Sequence, residues 1–124
     1  VSLSDFAPTY FELAHDRDIT IARFTIPRLT EDENIERIGH ELFLLVEQYD
    51  RRKLVLNLSD VEYLTSSALG KMITLHRKLH RQQGRLVICH MLPEIQEVLR
   101  TSRLIDYFNT AHDVAAAVAV LQPE

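Results

Sequence analysis

The chain has 124 residues, 46 % apolar and 26 % charged, with a formal net charge of -4. That size fits one domain spanning residues 1–124, and the composition excludes a disordered chain and a disulfide scaffold. No apolar run approaches the roughly 20 residues of a membrane-spanning helix. The start Val1-Ser-Leu-Ser-Asp5 lacks the basic and apolar regions of a secretion signal, so a cytoplasmic location with no membrane partner is expected.

In chain order, Tyr10 to Ala14 and Ile19 to Ile26 are β-favouring runs, separated by a hairpin turn at His15-Asp-Arg-Asp18 and closed by Pro27. Thr30-x-x-Glu33 has the form of a capping box. Behind it Ile35, Ile38, Leu42, Leu45, Val46 and Tyr49 recur at helical spacing. Leu54-Val-Leu-Asn-Leu58 is almost wholly apolar, as in a central strand covered on both faces. A second helix is predicted from Ser66 to Gln83, inward through Ala68, Leu69, Met72, Ile73, Leu75 and Leu79 and ended by Gly84.

Leu86-Val-Ile-Cys89 reads as a further buried strand. Pro93 suits the first turn of a third helix, with Ile95, Val98 and Leu99 inward and an end near Ser102. Ile105 to Phe108 is expected as the last strand. Thr110-x-x-Asp113 is expected to cap a final alanine-rich helix bearing Val114, Val118 and Leu121. The order β-β-α-β-α-β-α-β-α predicts an α/β fold, a mixed, mostly parallel sheet with helices packed on it.

The junction between the Leu54–Leu58 strand and the second helix carries the richest chemistry. It reads Asp60-Val-Glu-Tyr-Leu-Thr-Ser-Ser-Ala-Leu-Gly70, placing Thr65, Ser66 and Ser67 where a hydroxyl either caps the helix or receives a phosphate. From spacing alone Thr65 or Ser66 is the cap and Ser67 an ordinary first-turn residue. A phosphate there would gain about 0.3 to 1 kcal/mol from the helix dipole, so modification would leave the fold standing and change the surface.

This junction resembles the signature of the STAS family, the anti-sigma factor antagonists of bacterial partner-switching systems. Their pattern is roughly Asp-Ser-Ser/Thr-Gly-Leu-Gly after the same kind of strand. The element order is also that of the STAS fold, and Arg100-Thr-Ser-Arg-Leu-Ile-Asp-Tyr-Phe108 resembles the family's segment of helix end, Ser-Gly-Leu turn and edge strand. The chain departs from the pattern at Thr65, where the family has an acid, and at Ala68, where it has a glycine. Thr30 stands where a second family acid is usual, followed at once by Glu31-Asp-Glu33.

The resemblance implies a non-enzymatic regulatory module switched by phosphorylation of Ser67, the second hydroxyl of the motif, with Ser66 the second choice. It implies an anti-sigma factor that is also the serine kinase as principal partner, a serine phosphatase acting on the modified form, and a contact surface of Thr65, Ser66, Ser67, Ala68, Leu69 and Lys71. The alternative is a scaffold STAS subunit of a larger signalling assembly, not switched by phosphate. No metal, cofactor or direct nucleic-acid partner is expected.

Other residues point less sharply. Residues 1–50 hold 11 acids and 4 bases, whereas 71–93 hold Lys71, Arg77, Lys78, Arg81 and Arg85 and no acid. That basic stretch reads as a solvated helix face or as a docking surface for an acidic partner. His76 and His80 lie four apart without a third ligand, and Glu94 and Glu97 lie on one helix face without a sign of a pocket. The lone Cys89 reads as a strand residue in the core.

Overall fold

A computed structural model describes residues 3–122. Strands β1 (Phe11–Asp16) and β2 (Ile19–Phe24) form an antiparallel hairpin whose two-residue turn places Arg17 in the left-handed region, φ 58°. After β3 (Arg28–Leu29) and α1 (Asp32–Glu47) come β4 (Lys53–Asn57), β5 (Tyr63–Leu64) and α2 (Ser66–Arg81). Strand β6 (Arg85–Cys89), α3 (Pro93–Thr101), β7 (Asn109–Ala111) and α4 (Val114–Leu121) complete the chain. The main sheet runs β1-β2-β4-β6-β7, with β2, β4, β6 and β7 parallel. This is the mixed, mostly parallel α/β architecture expected.

Strand alternation divides the sheet into two unequal faces. Ala22, Phe24, Leu54, Leu56, Leu86 and Ile88 point into the larger core, where Ile38, Leu42 and Leu45 of α1, Met72, Leu75 and Leu79 of α2, and Ile95 and Leu99 of α3 meet them. Ile19, Val55, Val87 and Cys89 point the other way and are covered by Ala117, Val118 and Leu121 of α4. Burial pushes the Cys89 thiol up to about 11, with the Asp113 carboxylate adding to the effect.

Several local expectations need correction. The hairpin strands are displaced to Phe11–Asp16 and end at Phe24. Thr30 is not the cap of α1; Glu31 is, with no side-chain capping bond. Helix α2 ends at Arg81, two residues early. Its left-handed residue is Gln83, φ 62°, with Gly84 N–H donating to Leu79 O at 2.7 Å and Gln83 N–H to His80 O at 3.1 Å. Gly84 is needed for a different reason: a Cβ there would stand 2.4 Å from the carbonyl oxygen of Arg52.

Ile105 to Phe108 is not a strand but a turn, in which the Leu104 carbonyl accepts from the Tyr107 and Phe108 amides; the last strand is Asn109–Ala111. Apolar content misplaced it, because Phe108 is buried beneath the turn. The final helix is capped by Asp113 itself, accepting from Ala116 N–H at 2.8 Å, while Thr110 lies in β7. Two features had no reading at all. Strands β3 and β5 form a separate parallel pair, and Glu41 is buried within α1, accepting from the Thr9 amide and hydroxyl at 3.1 Å.

Candidate functional site

Helix α2 starts where β5 is tied to β3. Leu29 pairs with Leu64, and Thr65 N–H donates to Leu29 O at 3.1 Å, while Glu62 and Tyr63 donate to Pro27 O at 2.7 and 3.1 Å. The paired strands end at Leu29 and Leu64, so Thr30 and Thr65 each follow directly on the pair. Thr65 is the N-cap, extended at φ -97° and ψ 172°, and its hydroxyl accepts from Ala68 N–H at 3.4 Å. It satisfies an amide of the first turn without bringing a charge.

With the cap assigned to Thr65, Ser66 and Ser67 are the first two helical residues. Both are exposed, and neither hydroxyl makes a hydrogen bond among the described residues. Ala68 and Leu69 are buried in the main core, so their side chains pack the helix down and do not face outward. Lys71 is half-buried, with its ammonium 2.9 Å from Glu36 of α1. Its stem crosses Gly39, where a Cβ would lie 2.7 Å from Lys71 Cδ. Of the six surface residues expected, Thr65, Ser66 and Ser67 stand together at the helix start, Lys71 is engaged with α1, and Ala68 and Leu69 turn inward.

The outward side of this start also contains residues with no sequence reading. Tyr63 is exposed directly before it, with the Arg28 guanidinium 4.5 Å from its ring centre. Asp60 faces Arg23 at 2.5 Å, and Arg23 also reaches Glu12 at 2.6 Å, pinning the loop after β4 to the hairpin. An aromatic residue two positions before Thr65 was the available signal for Tyr63. Arg28 is distant in sequence and comes near only through β3–β5 pairing.

The basic stretch is divided. Lys71 is paired with Glu36, and Lys78 with Glu47 at 2.7 Å, its ammonium also 5.1 Å from the centre of the Phe43 ring. Arg77 and Arg81 are exposed and make no ion pair among the described residues. His76 packs on the rings of Tyr107 and Phe108 at 4.9 and 5.8 Å; burial, then the charge of His80, holds its pKa below the usual histidine value. Among the described residues no group of three or more His, Cys, Asp and Glu side chains is arranged to hold a metal, and no helix is long and apolar enough to cross a membrane.

The described residues form a small α/β fold with an exposed helix start beside the β3–β5 pair. The STAS domain profile matches residues 10–117, and the chain belongs to that family. A candidate anti-sigma factor antagonist of Bordetella bronchiseptica, BtrV, is 32 % identical over 89 residues, 72 % of this chain and 76 % of that protein. A candidate anti-sigma factor antagonist from Thermotoga maritima has the same fold, with a TM-score of 0.83 at 18 % identity over 91 % of this chain and 95 % of the other. SpoIIAA, a Bacillus cell fate determinant solved in its phosphorylated form, gives a TM-score of 0.69 at 21 % identity, over 89 % of this chain and 98 % of its own.

Proposed function

We propose that the chain is an anti-sigma factor antagonist, a non-catalytic module whose contact with an anti-sigma factor is switched by phosphorylation of Ser67. The anti-sigma factor is also the kinase in this reading, and a serine phosphatase restores the bare hydroxyl. The observation that carries it is the division of labour at the helix start: Thr65 takes the capping role, which leaves Ser67 exposed and uncommitted on the first turn. Ser66 is equally exposed, and the family motif ranks Ser67 ahead of it. The contact surface comprises Thr65, Ser66 and Ser67 with Tyr63 and Arg28 beside them, while Ala68 and Leu69 support it from below.

A phosphate on Ser67 adds about -1.5 to -2 charge and a tightly held hydration shell. The fold accommodates it, because the first-turn amides carry positive partial charge and Lys71 follows at the i,i+4 spacing at which helical side chains meet. A partner surface shaped for a neutral hydroxyl does not. A penalty of ~3 kcal/mol lowers affinity by more than about 100-fold, enough to exchange one partner for another.

The test combines intact mass and phosphosite mapping after treatment with the serine kinases of the source organism with binding by Ser67→Ala and Ser67→Asp. The phosphate is expected on Ser67. Ser67→Ala is expected to bind the anti-sigma factor and stay unmodified, and Ser67→Asp to bind it at least about tenfold more weakly. A phosphate mapped elsewhere, or full affinity in Ser67→Asp, overturns the switch and leaves the scaffold reading in its place.

A further inference from the structure

The second half of α2 turns another surface to solvent, on the flank away from α1. Arg77, His80 and Arg81 are exposed there and form neither an ion pair nor a side-chain hydrogen bond among the described residues. Together with His76 and Tyr107 they line a groove of about 320 Å³. Its base is aromatic: His76 lies 4.9 Å from Tyr107, and Tyr107 packs edge-on against buried Phe108 at 5.2 Å. Tyr107 keeps 41 % of its surface open to solvent. Nδ1 of His76 is buried without a hydrogen-bond partner among the described residues.

The charge balance of this groove is unlike that of the opposite flank. There each lysine meets a glutamate of α1. Here two arginines at i,i+4 repel each other, and residues 71–93 supply no acid to offset them; Asp106 is exposed on the turn, next in sequence to Tyr107. Exposed guanidinium groups beside an open aromatic ring match carboxylates carried on a chain that also has an apolar side chain. Arginine pairs with carboxylate in a two-point geometry, and Arg and Tyr are the residue types that most often anchor protein interfaces.

We propose that this groove docks an acidic segment of a partner protein, with carboxylates on Arg77 and Arg81 and an apolar side chain laid on His76 and Tyr107. Arg77 lies ten residues beyond Ser67, ~15 Å along the helix at 1.5 Å per residue, so the groove is a second contact region, independent of the serine switch. The net charge of -4 and the presence of only one tyrosine in the groove's lining favour a protein segment over a nucleic acid.

The experiment titrates the isotope-labelled full chain, followed by amide chemical shifts, with a synthetic peptide of alternating glutamates and phenylalanines. The controls are the same peptide with lysine in place of glutamate and a short oligothymidylate of equal charge. The acidic peptide is expected to shift the amides of residues 76–81 and 106–108 saturably and to weaken as salt rises. Arg77→Gln with Arg81→Gln is expected to cost about tenfold in affinity, and Tyr107→Ala about threefold, with dispersed spectra showing that each variant folds. Ser67→Asp is expected to leave this binding unchanged. Shifts confined to other surfaces, equal binding of the lysine peptide, undiminished affinity in the arginine double variant, or tighter binding of the oligothymidylate would each overturn the proposal.

Discussion

At the start of α2 two serine hydroxyls stand free in solvent, while at its end the chain swings through left-handed Gln83 and brings Gly84 against the carbonyl of Arg52. Both ends are polar in sequence, yet they live under opposite constraints. The start is held by one capping hydroxyl and by backbone bonds to β3, so the side chains of Ser66 and Ser67 are left without structural duty. At the end, the turn that closes α2 must deliver β6 into register with β4, and Arg85 N–H donates to Arg52 O at 2.7 Å. A position without structural duty can change its chemistry without disturbing the fold. A position in forced contact cannot.

The sharpest way to break this contrast is Gly84→Ala. The added methyl meets backbone rather than a yielding side chain, so a loss of about 1 to 3 kcal/mol is expected in denaturant unfolding. A variant as stable as the parent would mean that the β4–β6 approach is soft. Thr65→Ala is next: loss of the cap should cost about 1 kcal/mol in the same measurement, and Thr65→Ser should restore most of it. Ser67→Ala and Ser67→Asp should both lie within about 0.5 kcal/mol of the parent, with the aspartate the more stable of the two through the helix dipole. A loss comparable to that of Thr65→Ala would show that Ser67 shares the capping role.

The smallest expected effect is a change of slope with pH. Burial and the charge of His80 hold the His76 pKa below the ordinary value of 6.5, so the folded state binds the proton less well than the unfolded chain. His76 therefore contributes stability that is full above 6.5 and is lost as pH falls from there through its lowered folded-state pKa. Arg77, His80, Arg81 and Tyr107 line the groove with it, and Phe108 packs on its ring. His76→Phe should flatten the decline in unfolding midpoint between neutral and mildly acidic pH. Part of the decline should remain, since the His15 pKa is also lowered, by burial and then by Arg51.

Long periodic patterns were legible before any coordinates. The inward faces of α1 and α2 and the apolar runs of β4 and β6 define their own partners, because burying them admits few arrangements. Pairings of two or three residues were not legible. Strands β3, β5 and β7 are held by hydrogen bonds to neighbours that are remote in sequence, and nothing in Arg28-Leu29 or Asn109-Thr-Ala111 announces a strand. At the site, the hydroxyl cluster could be read; the apolar stripe set Ala68 and Leu69 inward while the family motif set the same two on the contact surface, and their burial sides with the stripe. Charge was the least legible property. Lys71 and Lys78 look as free as Arg77 and Arg81 until α1 brings Glu36 and Glu47 beside them.

The short β3–β5 pair has a consequence for how a signal at this surface travels. It straps the entry of α1 to the entry of α2 outside the main sheet, through Leu29 and Pro27 carbonyls that take the amides of Thr65, Glu62 and Tyr63. If this is the proposed contact surface, a mount held by these backbone bonds would cost a partner little free energy to order. The same stiffness prevents a group added at the helix tip from propagating as movement into the domain. On the proposed switch, a phosphate at this tip would be read where it is attached, by contact, with the rest of the molecule as the handle that holds it out.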